Sequence, residues 1–318
     1  MKLKTLLLLI FAGVFNFVQA QGVWTKPATT WKYDFGTNTG TGILNSGIGY
    51  TTDTVGGATL SVTSKGKGFL PYPPSGNVML SNIKTSPVGT GEWYLEDYLS
   101  SPSLKFISSR GGRVAKFAMY NMGNASTVSS FFYKISFTNA NVKEMDWRFG
   151  IGLTNGKTNQ INSTTAGIPG RTSKTSFPNF FATIRWTAKD GGIPLSYCYR
   201  GVSSEGEVDG TTYERELDGI KFLKGGTYNM EFYCNNSSED QTYLRNKEKY
   251  TISANSFHVW ANNVQLKAKA SANIGSYQLA PNNKLDAFVF QGSTSVPAKS
   301  AVCYLSDFVV NQVQNTGR

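Results

Sequence analysis

The sequence predicts an all-β fold, specifically a two-sheet antiparallel jelly-roll sandwich. Apolar and polar side chains alternate with a period of two in one segment after another, which is typical of half-buried strands. No segment of ten or more residues has clear helical periodicity, and 33 glycines together with 13% aromatic residues favour strands and tight turns. About twelve to fourteen strands fit two stacked sheets, because a large antiparallel sheet curls or splits into layers.

Residues 1–20 have the pattern of a secretory signal peptide, and residues 21–318 are predicted to form a single β-sandwich (jelly-roll) domain. Two lysines precede the apolar run from Leu6 to Val14, and small side chains stand at the usual minus-three and minus-one positions before Gln21. The apolar run is shorter than the roughly 20 residues that a membrane span needs, which disfavours a membrane anchor. We therefore expect secretion to the periplasm, the cell surface or the medium, with cleavage near Ala20.

The segment at residues 131–153, FFYKISFTNANVKEMDWRFGIGL, has the clearest strand pattern in the chain. Two runs of alternating large apolar residues, the first starting at Phe131 and the second at Trp147, flank a polar turn. The pattern predicts a hairpin that forms the middle of one sheet.

The first half of the chain contains shorter strand patterns. Strands are predicted at residues 31–35 and 58–63 and, on either side of Gly111 and Gly112, within residues 101–122. Three prolines in FLPYPPSGNVML, residues 69–80, predict an ordered crossing loop, because proline cannot donate to a strand ladder.

The second half is predicted to consist of strands separated by turn residues, at the spacing of a sandwich. The predicted strands are residues 180–187, 195–200, 221–223, 227–235, 249–252, 257–260, 285–291 and 302–310. Residues 157–177 form a long polar loop, which either rims a binding surface or decorates the protein surface. Residues 96–100 and 237–246 tolerate single helical turns.

The chain is basic and contains three cysteines. Its 31 Lys and Arg against 20 Asp and Glu give a formal charge of +11, which falls to +9 without the two lysines of residues 1–20. Such a charge can attract polyanions, although it is dispersed along the chain. Cys198, Cys234 and Cys303 lack metal-site spacing. Cys198 and Cys234 could form a disulfide, but we favour buried thiols, because free cysteine packs as a small apolar side chain.

Several strands carry a family resemblance. They are FFYKISF, WRFGIGL and YNMEFYCNN, then YTISANSFHVWANNVQL, LDAFVFQG and CYLSDFVV. Their order resembles the concanavalin A-like lectin and glucanase jelly-roll superfamily, as in exported proteins of Bacteroidetes-type bacteria, over residues 31–310. The resemblance implies a ligand or active site on the concave face of one sheet. It names no activity, because the same sandwich serves lectins, lyases, hydrolases and structural modules.

Hydrolysis of glycosides on this fold needs two carboxylates on one strand face. Glu144, Asp146 and Arg148 alternate in EMDWRFG, but their similarity to the glucanase motif is partial, because Arg148 or Phe149 stands where the final acid belongs. The Gln-x-His and Tyr-Phe-Lys-Ala-Gly strands of the alginate-lyase branch are absent from the sequence. We therefore assign no catalytic residue.

Two further groups of ionisable residues have structural explanations. The alternating carboxylates of residues 205–214 lie among glycines and threonines, which predicts a solvated loop or hairpin tip, with a loop calcium site as the alternative. His258, the only histidine, shares a strand side with Trp260. This placement favours a packed or surface imidazole over a lone general base.

The candidate ligand contacts lie opposite the apolar side of the central strands. They are Arg148, Thr183, Arg185, Glu231 and Tyr233. Arginines and a tyrosine on one concave face would hydrogen-bond sugar hydroxyls or pair with uronate carboxylates. A cross-strand Arg–Glu pair on an ordinary wet sheet face is the alternative.

Asp34 and Asp307 are the candidate metal ligands. The terminal strands of such a sandwich usually neighbour each other, and in similar jelly rolls a structural calcium often lies near such residues. Capping of local turns by the two carboxylates is the alternative that we favour. We expect no required cofactor.

These features together predict a secreted, non-enzymatic carbohydrate-binding module whose partner is a glycan or polysaccharide, with acidic polysaccharide as one candidate. We expect neither nucleic acid as a partner nor a membrane span, and the oligomeric state stays open. The alternatives are a glycoside hydrolase or lyase of the same fold, and a structural or adhesive surface protein. Two carboxylates within about 5 to 10 Å on the concave sheet would favour hydrolysis, whereas arginines and aromatics without such a pair would favour binding.

Overall fold

The computed structural model describes residues 21–36, 50–51, 70, 73–83, 91–111, 114–138, 145–163, 166–168, 177–188, 192–202, 208–295 and 299–314. These residues form twenty strands, numbered β1 to β20 in chain order. Two large antiparallel sheets make a jelly-roll sandwich, which confirms the predicted fold class, and a third small sheet lies against one of them. No helix among the described residues is long and apolar enough to cross a membrane.

One large sheet has eight strands. Their spatial order is β12 (Val208–Glu216), β11 (Leu195–Val202), β10 (Phe180–Thr187), β9 (Met145–Gly152), β19 (Ala287–Thr294), β7 (Val114–Tyr120), β4 (Asn77–Ile83) and β3 (Tyr50–Thr51). Neighbours are antiparallel except for the short parallel pair of β3 and β4.

The other large sheet has nine strands. A path of seven runs through β17 (Val264–Leu266), β16 (Ser256–Ala261), β13 (Thr227–Asn235), β8 (Val128–Phe137), β20 (Val302–Val313), β6 (Ser101–Ile107) and β5 (Glu92–Tyr98). In addition, β2 (Ala28–Tyr33) pairs with β20, and β18 (Ile274–Gly275) pairs with β16. The small sheet consists of β1 (Val23–Trp24), β14 (Gln241–Arg245) and β15 (Glu248–Ile252).

The main hydrophobic core lies between the two large sheets. It contains the alternate residues of the central strands that the sequence predicts to face inward, including Tyr133 on β8, Phe149 on β9 and Ile184 on β10. The Tyr133 and Phe149 ring centroids are 4.8 Å apart, which is direct contact between the layers. The intervening residues point outward, and two smaller apolar clusters cover parts of the outer faces.

The predicted hairpin at residues 131–153 is wrong. Its two strands, β8 and β9, belong to different sheets: β8 lies between β13 and β20, whereas β9 lies between β10 and β19. Each strand is central in its own sheet, and the two face each other across the core. Alternation alone specifies which side of a strand is buried, but it does not specify which strand is its hydrogen-bonded neighbour.

Several local predictions also need correction. The last residues of the proline-containing segment form β4, because the prolines end before Asn77. Strands β5 and β14 form where single helical turns are predicted. The second half of the predicted solvated loop at residues 205–214 belongs to strand β12. Residues 221–223 contain a single β-bridge at Phe222 rather than a strand. The predicted strand at residues 58–63 and the signal peptide at residues 1–20 lie outside the described residues.

The three cysteines are all buried free thiols, so the favoured prediction is confirmed and the Cys198–Cys234 disulfide is wrong. Cys234 lies in the main core on β13, whereas Cys198 faces outward from β11 under a smaller cluster. The two side chains therefore point to opposite faces of different sheets.

Candidate functional site

The outer face of the eight-stranded sheet carries one row of polar side chains at matched register. Lys116 on β7 pairs with Gln291 on β19, Gln291 pairs with Arg148 on β9, and Arg148 pairs with Arg185 on β10. Residues directly opposite each other on adjacent antiparallel strands have their side chains on the same face. The row therefore crosses four neighbouring strands at a single level.

Most of this face is covered by the chain itself. The covering segments are residues 157–163 and 166–168, which belong to the predicted polar loop, and residues 177–180. Ile161, Ile168 and Phe180 pack there with outward apolar residues of the sheet, such as Val289. The glycines of WRFGIGL make room for them, because a Cβ on Gly152 would lie 1.9 Å from the carbonyl oxygen of Asn179. The loop thus fills part of the outer face of this sheet.

Four charged side chains stay partly exposed beside the covered region, and we call them the four-charge cluster: Asp146, Arg148, Arg185 and Glu214. Arg148 binds Asp146 through Nε at 3.0 Å and a terminal nitrogen at 2.6 Å. Arg185 binds Asp146 at 2.9 and 3.1 Å and Glu214 at 2.9 and 3.0 Å. The side chains are 13 to 20% exposed.

The cluster contains two carboxylates, as a hydrolase would, but Arg185 lies between them. Its guanidinium is hydrogen-bonded to both, so it occupies the place where a scissile bond would have to lie. Burial alone would raise the pKa of Asp146, but the Arg148 and Arg185 guanidiniums together hold it below its usual value. A general acid needs a raised pKa, so Asp146 does not fit that role.

The structure settles the placement of the predicted residues of this sheet. Arg148 and Arg185 point outward and meet in the cluster, as alternation predicts. Thr183 lies on the same face but is buried. Glu214 was part of the predicted solvated segment, yet its place in β12 brings it to Arg185. The sequence VDGTTYERE of residues 208–216 has no regular alternation that could have indicated this.

Glu231 and Tyr233 are not on the face that carries the arginines. They point outward from β13 in the other sheet, and the small sheet covers them. Arg245 of β14 binds Glu231 at 2.7 and 3.1 Å, and the Tyr233 hydroxyl donates to Glu231 at 2.5 Å. We call these three side chains the buried network, because Arg245 and Glu231 are only 1% and 3% exposed. The prediction that arginines and a tyrosine share one face is therefore wrong for Tyr233.

Aromatic residues enclose the buried network. The Tyr233 and Tyr243 rings stack at 3.8 Å, and the Arg245 guanidinium lies 4.2 Å from the Trp260 ring centroid. His258 belongs to the same layer, as its predicted side with Trp260 requires. Its Nδ1 lies 3.0 Å from the Tyr243 hydroxyl, and burial lowers its pKa to about 4. His258 is therefore a neutral, packed imidazole at neutral pH.

Asp34 and Asp307 follow the predicted arrangement of strands, since β2 pairs with β20. Their carboxylates nevertheless have separate partners. Asp34 accepts a hydrogen bond from the Gly36 amide at 2.9 Å, and Asp307 binds Lys134 at 2.8 Å. Within the described residues no group of three His, Cys, Asp or Glu could hold a metal ion. The hydrogen bond from the Gly36 amide fits the favoured capping role for Asp34, but that role is wrong for Asp307, which lies within β20 and pairs with Lys134. The structural calcium stays a prediction.

No protein-family model and no curated protein sequence matches the chain. Alginate lyase vAL-1 from Chlorella virus is similar at 11% identity, covering 75% of this chain and 93% of that one, with a TM-score of 0.41. Domain 4 of AbnA, an extracellular arabinanase from Geobacillus stearothermophilus solved with arabinotriose, is similar at 10% identity over 74% and 82%, with a TM-score of 0.36. A sialidase is similar at 11% identity with a TM-score of 0.41, and this chain spans 17% of the length of the sialidase. Likenesses this low decide nothing about activity.

Proposed function

We propose that the chain is a non-catalytic carbohydrate-binding protein whose ligand contacts the four-charge cluster. The observation that carries the proposal is the partial exposure of four charged planar groups on a sheet face that the chain covers in large part. Guanidinium and carboxylate groups bind hydroxyls through charge-assisted hydrogen bonds. Arg148 has five N–H donors and makes three of the bonds described here, so two donors remain that no described residue engages.

The charge balance of the cluster bears on the kind of glycan. Two arginines and two carboxylates leave it without net charge. A uronate carboxylate would have to compete with Asp146 and Glu214 for the same guanidinium donors. We therefore infer recognition of hydroxyl groups on a neutral sugar. An acidic polysaccharide would gain attraction only from the basic chain as a whole, and salt screens that attraction.

The test is binding to a glycan array, followed by calorimetry on the retained oligosaccharides. Arg148→Ala and Arg185→Ala are each expected to weaken binding at least tenfold, since each removes a charged donor of the cluster. Arg215→Ala is the matched control. Arg215 follows Glu214 in β12, and its guanidinium lies 5.0 Å from the Tyr199 ring centroid. Equal affinity in all three variants, or no retained glycan, would refute the proposal.

The enzymatic alternative is tested on the same preparations. Two carboxylates near each other favour it, but Arg185 between them and the lowered pKa of Asp146 oppose it. A hydrolase would release reducing ends from a polysaccharide panel, and a lyase would release unsaturated sugars. Either product from the wild-type chain, lost in Asp146→Asn, would replace the binding proposal with an enzymatic one.

We also propose that the protein acts outside the cytoplasm after removal of residues 1–20. The sequence pattern of that segment supports this. The residues that follow it are part of the fold, because the Gly22 amide donates to the Tyr233 hydroxyl at 2.7 Å. Mass spectrometry of the exported protein is expected to find Gln21 at the amino terminus, and a chain that still carries the leader would contradict the proposal.

A further inference from the structure

Lys116 is a fully buried lysine on the covered face of the eight-stranded sheet. Its Nζ donates to the carbonyl oxygens of Gln160, Ser163 and Ala166 at 2.9, 2.8 and 3.0 Å. An ammonium has three N–H donors, so these three acceptors satisfy it completely. A buried charge is tolerated when it is paired or hydrogen-bonded in this way, and none of the described carboxylates forms an ion pair with Lys116.

The next two residues of the polar row, Gln291 and Arg148, contact the same covering segments. Gln291 accepts a hydrogen bond from the Ile168 amide at 2.7 Å, and Arg148 donates to the Ile168 carbonyl at 3.0 Å. Gly167 permits this approach, because a Cβ there would lie 2.5 Å from the Gln291 side-chain oxygen. Three adjacent strands thus hold one stretch of chain through three side chains at one level.

We propose that Lys116 acts as an internal cation that holds the covering segments on the sheet and thereby positions Arg148 in the four-charge cluster. Backbone carbonyl oxygens are ligands of hard metal cations such as calcium, and the ammonium takes the place of such a cation here. Arg148 is the link, because one terminal nitrogen binds Ile168 while the other binds Asp146. Lys116 is therefore a positioning residue.

The groups around Lys116 favour its charged form over the neutral one by hydrogen bonding. A neutral amine has only two N–H donors for the three carbonyls. Burial opposes the charge and lowers the pKa of Lys116 to about 7. The residues opposite it on the adjacent strands are Ser81 on β4 and Gln291 on β19, both uncharged, and the nearest charged member of the row is Arg148, two strands away.

Hydrogen exchange of the full chain tests the proposal without any ligand. Lys116→Met keeps the apolar stem and removes the three donors. Amides of residues 160–163 and 166–168 are expected to exchange at least tenfold faster, while β8 and β13 in the other sheet stay protected. Lys134→Met removes a lysine from the outer face of the other sheet and should leave these amides unchanged. Unchanged exchange in Lys116→Met would overturn the proposal.

Chemical rescue distinguishes charge from packing. Lys116→Ala lacks a group that propylammonium matches, so propylammonium chloride is expected to restore protection of residues 160–163 and 166–168. Propanol with sodium chloride at equal concentration should not. Rescue by both compounds would show that filling the space suffices and would overturn the internal-cation role. If Lys116→Met does not fold, refolding of Lys116→Ala with either compound provides the same comparison.

The consequence for Arg148 rests on the proposed function and has a separate readout. Lys116→Met is expected to weaken glycan binding about as much as Arg148→Ala, and the double variant should lose little more, because both act through one contact. Additive losses would contradict positioning through Arg148. If the wild-type chain binds no glycan, the proposed function fails, while the exchange and rescue experiments still decide the role of Lys116.

Discussion

The four-charge cluster and the buried network use the same chemistry on opposite sides of the sandwich. Each pairs arginine with a carboxylate on the outer face of a large sheet. The cluster is open at its rim, with side chains 13 to 20% exposed, whereas Arg245 and Glu231 are sealed under the small sheet. A sealed pair can only support the fold. An open one can exchange a bond to a neighbour for a bond to a ligand.

The largest expected difference between the two regions is in stability. Arg245→Met leaves Glu231 charged and without its guanidinium partner under the small sheet, and breaking a buried pair in this way costs about 3–5 kcal/mol of unfolding free energy. Arg185→Met makes the same chemical change in the open cluster, where about 1–2 kcal/mol is expected. Urea denaturation measures both values. Equal losses would abolish the distinction between a structural and an accessible pair.

The pH dependence of stability should separate the regions next. His258, which packs beside the buried network, has a pKa of about 4 in the fold and about 6.5 when unfolded. The unfolded chain therefore binds the extra proton first, and the unfolding free energy should fall by roughly 3 kcal/mol between about pH 6.5 and pH 4. Because the pKa of Asp146 is lowered in the fold, the stability that the four-charge cluster contributes should be lost only as the pH falls below the usual aspartate pKa. Thermal denaturation across pH measures both losses of stability. His258→Gln should remove only the loss between about pH 6.5 and pH 4, and a loss that persists there in this variant would contradict the assignment to His258.

Glu214 provides a smaller but more specific comparison. Glu214→Gln removes one carboxylate that binds Arg185 and keeps the shape of the side chain, so we expect about 1 kcal/mol of lost stability. Glycan affinity should fall severalfold, because the amide is a weaker hydrogen-bond acceptor than the carboxylate and Arg185 loses one of its two carboxylate partners. Calorimetry and urea denaturation on one preparation give both numbers. A stability loss as large as that of Arg245→Met, with unchanged affinity, would place Glu214 with the structural residues.

The smallest effect is expected at Asp307, whose side chain is 51% exposed in its pair with Lys134. Asp307→Asn should change the unfolding free energy by less than about 1 kcal/mol, because exposed ion pairs contribute little. The melting temperature with calcium or with a chelator checks the predicted structural ion. A calcium-dependent rise in the wild type that disappears in Asp307→Asn would show a metal site.

Which side of each strand is buried could be predicted from the sequence. The inward faces of β8, β9, β10 and β13 follow from alternation, because a period of two places every second side chain on the core side. Strand neighbours could not be predicted in the same way. The pattern of residues 131–153 is the same for a hairpin as for two strands that face each other across a core.

The candidate site could be predicted only in part. Arg148 and Arg185 are predicted as ligand contacts because they lie opposite the apolar side of their strands, and both point into the open cluster. Glu231 and Tyr233 satisfy the same rule on β13, but alternation does not tell an outer face open to solvent from one beneath a further sheet. Lys116 has an ordinary outward position in VAKFAMY, and its three carbonyl partners come from a loop whose path has no local sequence signal.

The place of β20 has a consequence for the order of folding. Among the described strands it is the last in sequence, yet it lies inside the nine-stranded sheet, with β8 on one side and both β6 and β2 on the other. Until β20 has been synthesised, the part of this sheet that contains β8 and the part that contains β6 have no described strand between them. The sheet can therefore close only after residues 302–313 have emerged, which makes folding a late event governed by contacts between distant parts of the sequence.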